Sequence, residues 1–141
     1  MRAHYLAVKS RLLADSALAT KGVFDTVRVD TTSGLPVQAT YVVLFGGAAD
    51  VLDDGRLSAP QLASSDAEYL YTVRAVSASF DGVMATMTKV HAQLLGFIPT
   101  VDGRKCSAIT LDNSSEVRPD NAVNPPMYYM DCDFILKSSR A

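Results

Sequence analysis

Hydrophobic positions recur along this chain with two different periods. From Phe80 to Leu95 they fall at helical spacing: Phe80, Val83, Met84, Met87, Val90, Leu94 and Leu95 form one stripe, with His91 at its edge. That pattern predicts an amphipathic helix. Asp81 is the candidate N-cap, and Gly96 followed by Pro99 marks the stop. A shorter stripe opens the chain, where Tyr5, Val8 and Leu12 lie one above the other and Arg2, Lys9 and Arg11 take other faces. Asp15-Ser16 interrupts this first helix and caps a further turn through Ala17-Leu18-Ala19, which Gly22 ends.

Elsewhere the period is two. Between Glu68 and Ser79, Tyr69, Tyr71, Val73 and Ala75 face one way, and Leu70, Thr72, Arg74 and Val76 the other. Met127 to Lys137 alternates in the same manner. Tyr128, Met130, Cys132, Phe134 and Leu136 oppose Tyr129, Asp131, Asp133 and Ile135. Such alternation predicts strands with one covered and one wetter face, typical of antiparallel pairing. Ala39 to Phe45 is apolar on both faces and reads as a central strand. Val23 to Val29 and Arg104 to Asp112 read as two further strands. Thr31 to Pro36 has turn composition, and Asn113 to Pro126 reads as a polar loop.

Gly46 to Ser65 breaks both patterns. Gly, Ala, Asp and Ser dominate it, and Asp50, Asp53 and Asp54 make its first part acidic, so it is expected to form a long flexible loop with a functional role. The order is therefore helix, strand, strand, loop, strand, helix, strand, strand. The expected fold is α+β, a mainly antiparallel sheet of about five strands with two helices packed on one face.

Composition narrows this without adding chemistry. A chain of 141 residues suits one domain, residues 1–141, with enough surface to bury for a core of its own. A net charge of −2 argues against a duplex-DNA binder, which normally carries a basic stripe. No apolar run approaches the roughly 20 residues that span a membrane, and Lys9 and Arg11 interrupt any signal-peptide core. The protein is thus expected to mature in a cytoplasm, with Cys106 and Cys132 as free thiols.

Candidate reactive sets dissolve on inspection. Cys106 and Cys132 with His91 match no zinc spacing, in which ligands come in close pairs. Asp131 and Asp133 share a strand face, but Lys137 follows on it, so a solvated or inter-subunit face is the better reading than acid–base chemistry. Asp112 to Glu116 lacks the glycine and distal glutamate of an EF-hand. Gly46-Gly47 is followed by no P-loop lysine, and Ser77, Ser79 and Ser107 have no nucleophile-elbow setting. The sequence predicts no catalytic residue, no metal and no cofactor.

Several segments taken together resemble the tail terminator (tail completion) proteins of long-tailed phages. A helix from Tyr5 to Leu13 precedes Val27-Arg28-Val29, and Ala39-Thr40-Tyr41-Val42-Val43-Leu44 leads to a glycine. After the acidic loop, the strand Asp66 to Ser77 feeds directly into the helix ending Leu94-Leu95-Gly96, and a tyrosine-bearing strand, Tyr128 to Phe134, closes the pattern. The resemblance covers nearly the whole chain. It implies an α+β structural protein of the virion that forms a ring, a hexamer in that family. Such a ring caps the tail tube, ends its polymerisation and joins tail to head. The implied partners are other copies of the chain, the tail tube protein and head–tail connector or neck proteins, with DNA passing through the ring without specific binding. Another neck role, as head-completion or connector protein, is the alternative within the same class, and a small α+β enzyme or ligand-binding domain the alternative outside it.

For ring assembly two different patches must match from one copy to the next. The basic N-terminal helix, with Arg2, Lys9 and Arg11, and the acidic Asp50, Asp53 and Asp54 are candidates. They read equally as solvated surfaces of opposite sign. Tyr128 and Tyr129, beside Asp131 and Asp133, are the second candidate interface, tyrosine being enriched at such surfaces. Tyr69 and Tyr71 read equally well as interface or as core beneath the helix.

Overall fold

The computed structural model of the chain describes residues 2–46, 49–52 and 66–141. It begins with α1 (Arg2–Leu13), which buries His4, Val8 and Leu12, one residue per turn. The short α2 (Ser16–Lys21) follows because Asp15 caps it. The Asp15 carboxylate accepts the backbone N–H groups of Ala17 and Leu18 at 2.9 and 3.0 Å. Gly22 then stops the helix with φ at +93°. A side chain there would be strained, and its Cβ would overlap the Phe24 ring.

Among the described residues the sheet has eight strands in five rows. β1 (Val23–Phe24) runs parallel to β2 (Tyr41–Phe45). β2 and β3 (Ala49–Leu52) lie end to end along one edge of the long β4 (Asp66–Ser77). The other edge of β4 pairs over eleven residues with β8 (Met127–Arg140), from Ala67↔Ser138 to Ser77↔Tyr128. Along the far edge of β8 lie β5 (Arg104–Cys106), β6 (Thr110–Ser114) and β7 (Arg118–Asp120) in succession. The fold is α+β as expected, but the sheet is larger than the expected five or so strands. It is mainly antiparallel as expected, mixed through the parallel pair of β1 and β2, and the described residues form three helices where two were predicted.

The main core lies between the helices and the inner face of β4 and β8. Val8, Leu12 and Leu18 meet Val83, Met87, Val90 and Leu94 of α3 (Phe80–Leu94) over Tyr71, Val73, Cys132, Phe134 and Leu136. Tyr69 and Tyr71 are thus core, which settles the choice left open for them. β4 passes into α3 with almost no connection. Ser79, not the expected Asp81, is the N-cap: its hydroxyl accepts the Gly82 N–H at 3.1 Å. Asp81 sits within the first turn, where its charge suits the helix dipole. The join needs glycine at position 82, since a Cβ there would lie 2.2 Å from Ser77 Oγ.

Four other expectations are corrected. The predicted strand Val23–Val29 ends after Phe24, since the chain turns at Asp25 and bridges Val29 to Pro36 through a turn held by Asp30. The predicted strand Arg104–Asp112 is broken because Ile109 is buried in the core. Its N–H goes to the Phe97 carbonyl at 2.9 Å, and its own carbonyl accepts Gly96 N–H. Part of the predicted loop is strand, since Ala49–Leu52 pairs with Asp66–Tyr69. Residues 53–65, with Asp53 and Asp54, lie outside the described residues. Finally, the outer face is not uniformly wet. Near β2 it carries a second core of Tyr41, Val43, Val76, Val123 and Met127, over which the 28–38 segment and the β7–β8 turn close. No described helix is long and apolar enough to cross a membrane.

Candidate assembly surface

The polar side chains singled out on β8 stand on the outer face of the sheet, and register decides what they meet. Directly cross-strand residues share a face. Glu68 is therefore opposite Lys137, Leu70 opposite Ile135, Thr72 opposite Asp133, Arg74 opposite Asp131 and Val76 opposite Tyr129. The Arg74 guanidinium holds both oxygens of Asp131, at 2.7 and 2.8 Å. The Thr72 hydroxyl donates to Asp133 at 2.6 Å, and Lys137 lies 3.8 Å from Glu68. Asp131 raises the Arg74 pKa further above its ordinary value, chiefly through these hydrogen bonds. Arg74 also stacks 4.6 Å over the Tyr129 ring and 5.7 Å over Phe45. Asp131 and Asp133 are thus fixed cross-strand partners rather than a free carboxylate pair. Tyr128 and Tyr129 part company, Tyr128 packing on the main core and Tyr129 on the outer one.

At the β2 end of this face lies an open pocket of about 230 Å³. Val27, Pro36, Val76, Met127 and Tyr129 line it, with Arg74 and Asp120 as its charged members. A neighbouring hollow of about 450 Å³ shares Pro36, Val37 and Val123 and extends toward Asp30 and Asn124. At its rim Leu35 is 65% exposed. No sequence signal announced this groove, because its two walls are segments without periodicity, 27–38 and 119–127.

The basic helix is less free than its sequence suggests. Lys9 pairs with Asp25 at 2.9 Å, and the Tyr5 hydroxyl donates to the same carboxylate and to the Leu44 carbonyl. These bonds, with that from Tyr5 first, hold the Asp25 pKa below its ordinary value. Arg11 donates to the Gln93 carbonyl at 3.0 Å and covers the Phe97 ring at 4.9 Å. Arg2 is exposed. Asp50 pairs through its backbone with Glu68 at the sheet edge. The described cations of α1 and the outer-face residues of β8 therefore do not form one patch.

Of the reactive groups, His91 and Cys132 meet, while Cys106 stands apart. His91 Nε2 is 3.4 Å from Cys132 Sγ, and burial lowers the imidazole pKa while raising that of the thiol to about 11. Cys106 faces Ser138, six residues further along β8 and so roughly 20 Å from Cys132, too far for a disulfide. No group of three His, Cys, Asp or Glu side chains able to hold a metal occurs among the described residues.

No family model matches the chain, and no curated protein does. Among solved structures it is similar to a chain in the virion of a native gene transfer agent particle. The TM-score is 0.65 and the identity 20%, over 96% of this chain and 93% of that one. At that identity the likeness is one of fold, and it takes in nearly the whole of both chains.

Proposed function

We propose that this protein is a structural subunit of a phage-type virion, a tail terminator that closes into a ring, caps the tail tube and presents a joining surface to the head. The carrying observation is the fold shared end to end with a chain from the gene transfer agent virion. The sequence resemblance to tail terminators supports the narrower role. The polar groups of the sheet face are consumed in cross-strand pairs, and the pocket beside them has apolar walls. Both suit complementary packing more than turnover. The abundance of strand favours a terminator over the mostly helical connector proteins that form the alternative.

In this reading six copies, the number taken from the resemblance, assemble in the host cytoplasm and remain in the virion neck. The exposed Arg2, the sheet edge at Asp50 and the tyrosine-bearing outer face are the candidate contacts between copies, or with the tube and connector proteins. Asp53 and Asp54 extend the acidic candidate. Adding the purified protein to polymerising tail tube protein tests the role. Tubes should stop growing and carry a ring at one end; tubes of unchanged length with bare ends would refute it.

The ring should let DNA pass without holding it. With a net charge of −2, and with Lys9, Arg11 and Arg74 engaged internally, the chain has no basic excess to displace counterions. Binding of random duplex at physiological salt is expected to be weaker than micromolar by fluorescence anisotropy. Sub-micromolar, salt-sensitive affinity would contradict it.

A further inference from the structure

Helix α1 is fastened to the inner face of the sheet by a polar latch. His4 is 3% exposed, and its ring stacks on Tyr69 of β4 with centroids 4.5 Å apart. Its Nε2 lies 2.9 Å from Ser138 Oγ of β8. That hydroxyl also accepts from Arg104 Nε of β5 at 2.9 Å, and Cys106 Sγ stands 3.9 Å from it. The other ring nitrogen, Nδ1, is buried without a hydrogen-bond partner among the described residues.

Such a place suits only the neutral imidazole. A second proton would leave a charged N–H buried and unbonded, and would set a cation beside the Arg104 guanidinium. The ionisable groups that meet the ring are Tyr69 from β4, with Arg104 and Cys106 from β5 around Ser138. The amino-terminal charge also acts on the ring.

The geometry points to His4 as an acid-operated latch: taking up a proton unseats the first turns of α1 from β4 and β8 while the α3-covered sheet stays folded. Burial, then the amino terminus and Arg104, lowers the pKa of seated His4 below the ordinary 6.5. The unseated helix therefore binds the proton first. Seating is at full strength above pH 6.5, weakens as pH falls through that value, and levels off below the lower pKa of the seated ring.

Hydrogen exchange of the full chain between pH 7.5 and 5, corrected for intrinsic rates, tests this. Protection of α1 amides should fall by up to about tenfold per pH unit below 6.5, while α3 and β8 keep theirs. His4→Gln can keep a bond to Ser138 but cannot titrate, and should make α1 protection independent of pH. His91→Gln, which alters the histidine packed on Cys132 and Phe134, should leave the wild-type response. Unchanged α1 protection, equal loss in α3, or a response that survives His4→Gln would overturn the latch. Should His4→Gln misfold, a ring titration by NMR in the wild type decides. A midpoint below 6.5 that coincides with α1 release supports the latch, and one at or above 6.5 refutes it.

Discussion

Replacing Leu94 by alanine is expected to cost about 2–5 kcal/mol of stability, a large part of the roughly 5–15 kcal/mol that holds a domain together. Leu94 is fully buried at the end of the α3 stripe, in the cluster that joins the three helices to β4 and β8. Removing its branched end leaves a cavity that two long paired strands beneath it are poorly able to close. Lys89→Ala, on a half-exposed position of the same helix, should change stability by less than about 0.5 kcal/mol. Denaturant melts of the two variants compare them directly. Equal midpoints would mean that α3 does not present this face to the sheet. Assembly should fail in proportion to lost folding in Leu94→Ala.

Arg74→Ala is expected to be the next most damaging change, at about 1.5–3 kcal/mol, the usual worth of hydrogen bonds to a charged group. It breaks the two-pronged bond to Asp131 and removes the cation from the Tyr129 and Phe45 rings. It also leaves Asp131, 72% covered, without its charged partner. Asp131→Ala alone should cost less, because the freed guanidinium keeps its stacking contacts. In a double-mutant cycle the two losses should be clearly less than additive. Additive losses would mean that the cross-strand pair contributes nothing beyond its separate members.

The central part of the fold was legible because both signals there were unbroken. Tyr69 to Val76 and Tyr128 to Leu136 keep a period of two, and their facing assignments agree with the structure residue by residue. The α3 stripe is likewise correct at Val83, Met87, Val90 and Leu94. Phe80, Met84 and Leu95 lie at its margins and are exposed, since apolar identity alone does not fix the width of a buried face. Short pieces were misread where tertiary contacts outweigh local pattern. Among the described residues β-branched Val27 and Val29 join no strand of the sheet, Val29 bridging only to Pro36, and Ile109 leaves β8 because the core takes it.

The candidate surface was legible only in part. Asp131 and Asp133 were visible as a shared face, but their partners were not, because Arg74 and Thr72 lie 57 and 61 residues earlier. Only strand register joins them. Lys9 and Arg11 looked like a free basic patch because Asp25 and Phe97 come to α1 through the fold. His4 could have been noticed: it falls four and eight residues before Val8 and Leu12, on the buried stripe of α1.

Light scattering of the purified protein, with negative-stain imaging of the same peak, tests the claim of ring assembly most directly. The account predicts a discrete species of about six times the 15.1 kDa chain mass, seen end-on as rings with an open centre. A monomer at every concentration, showing no rings even on the ends of tail tubes, would contradict it.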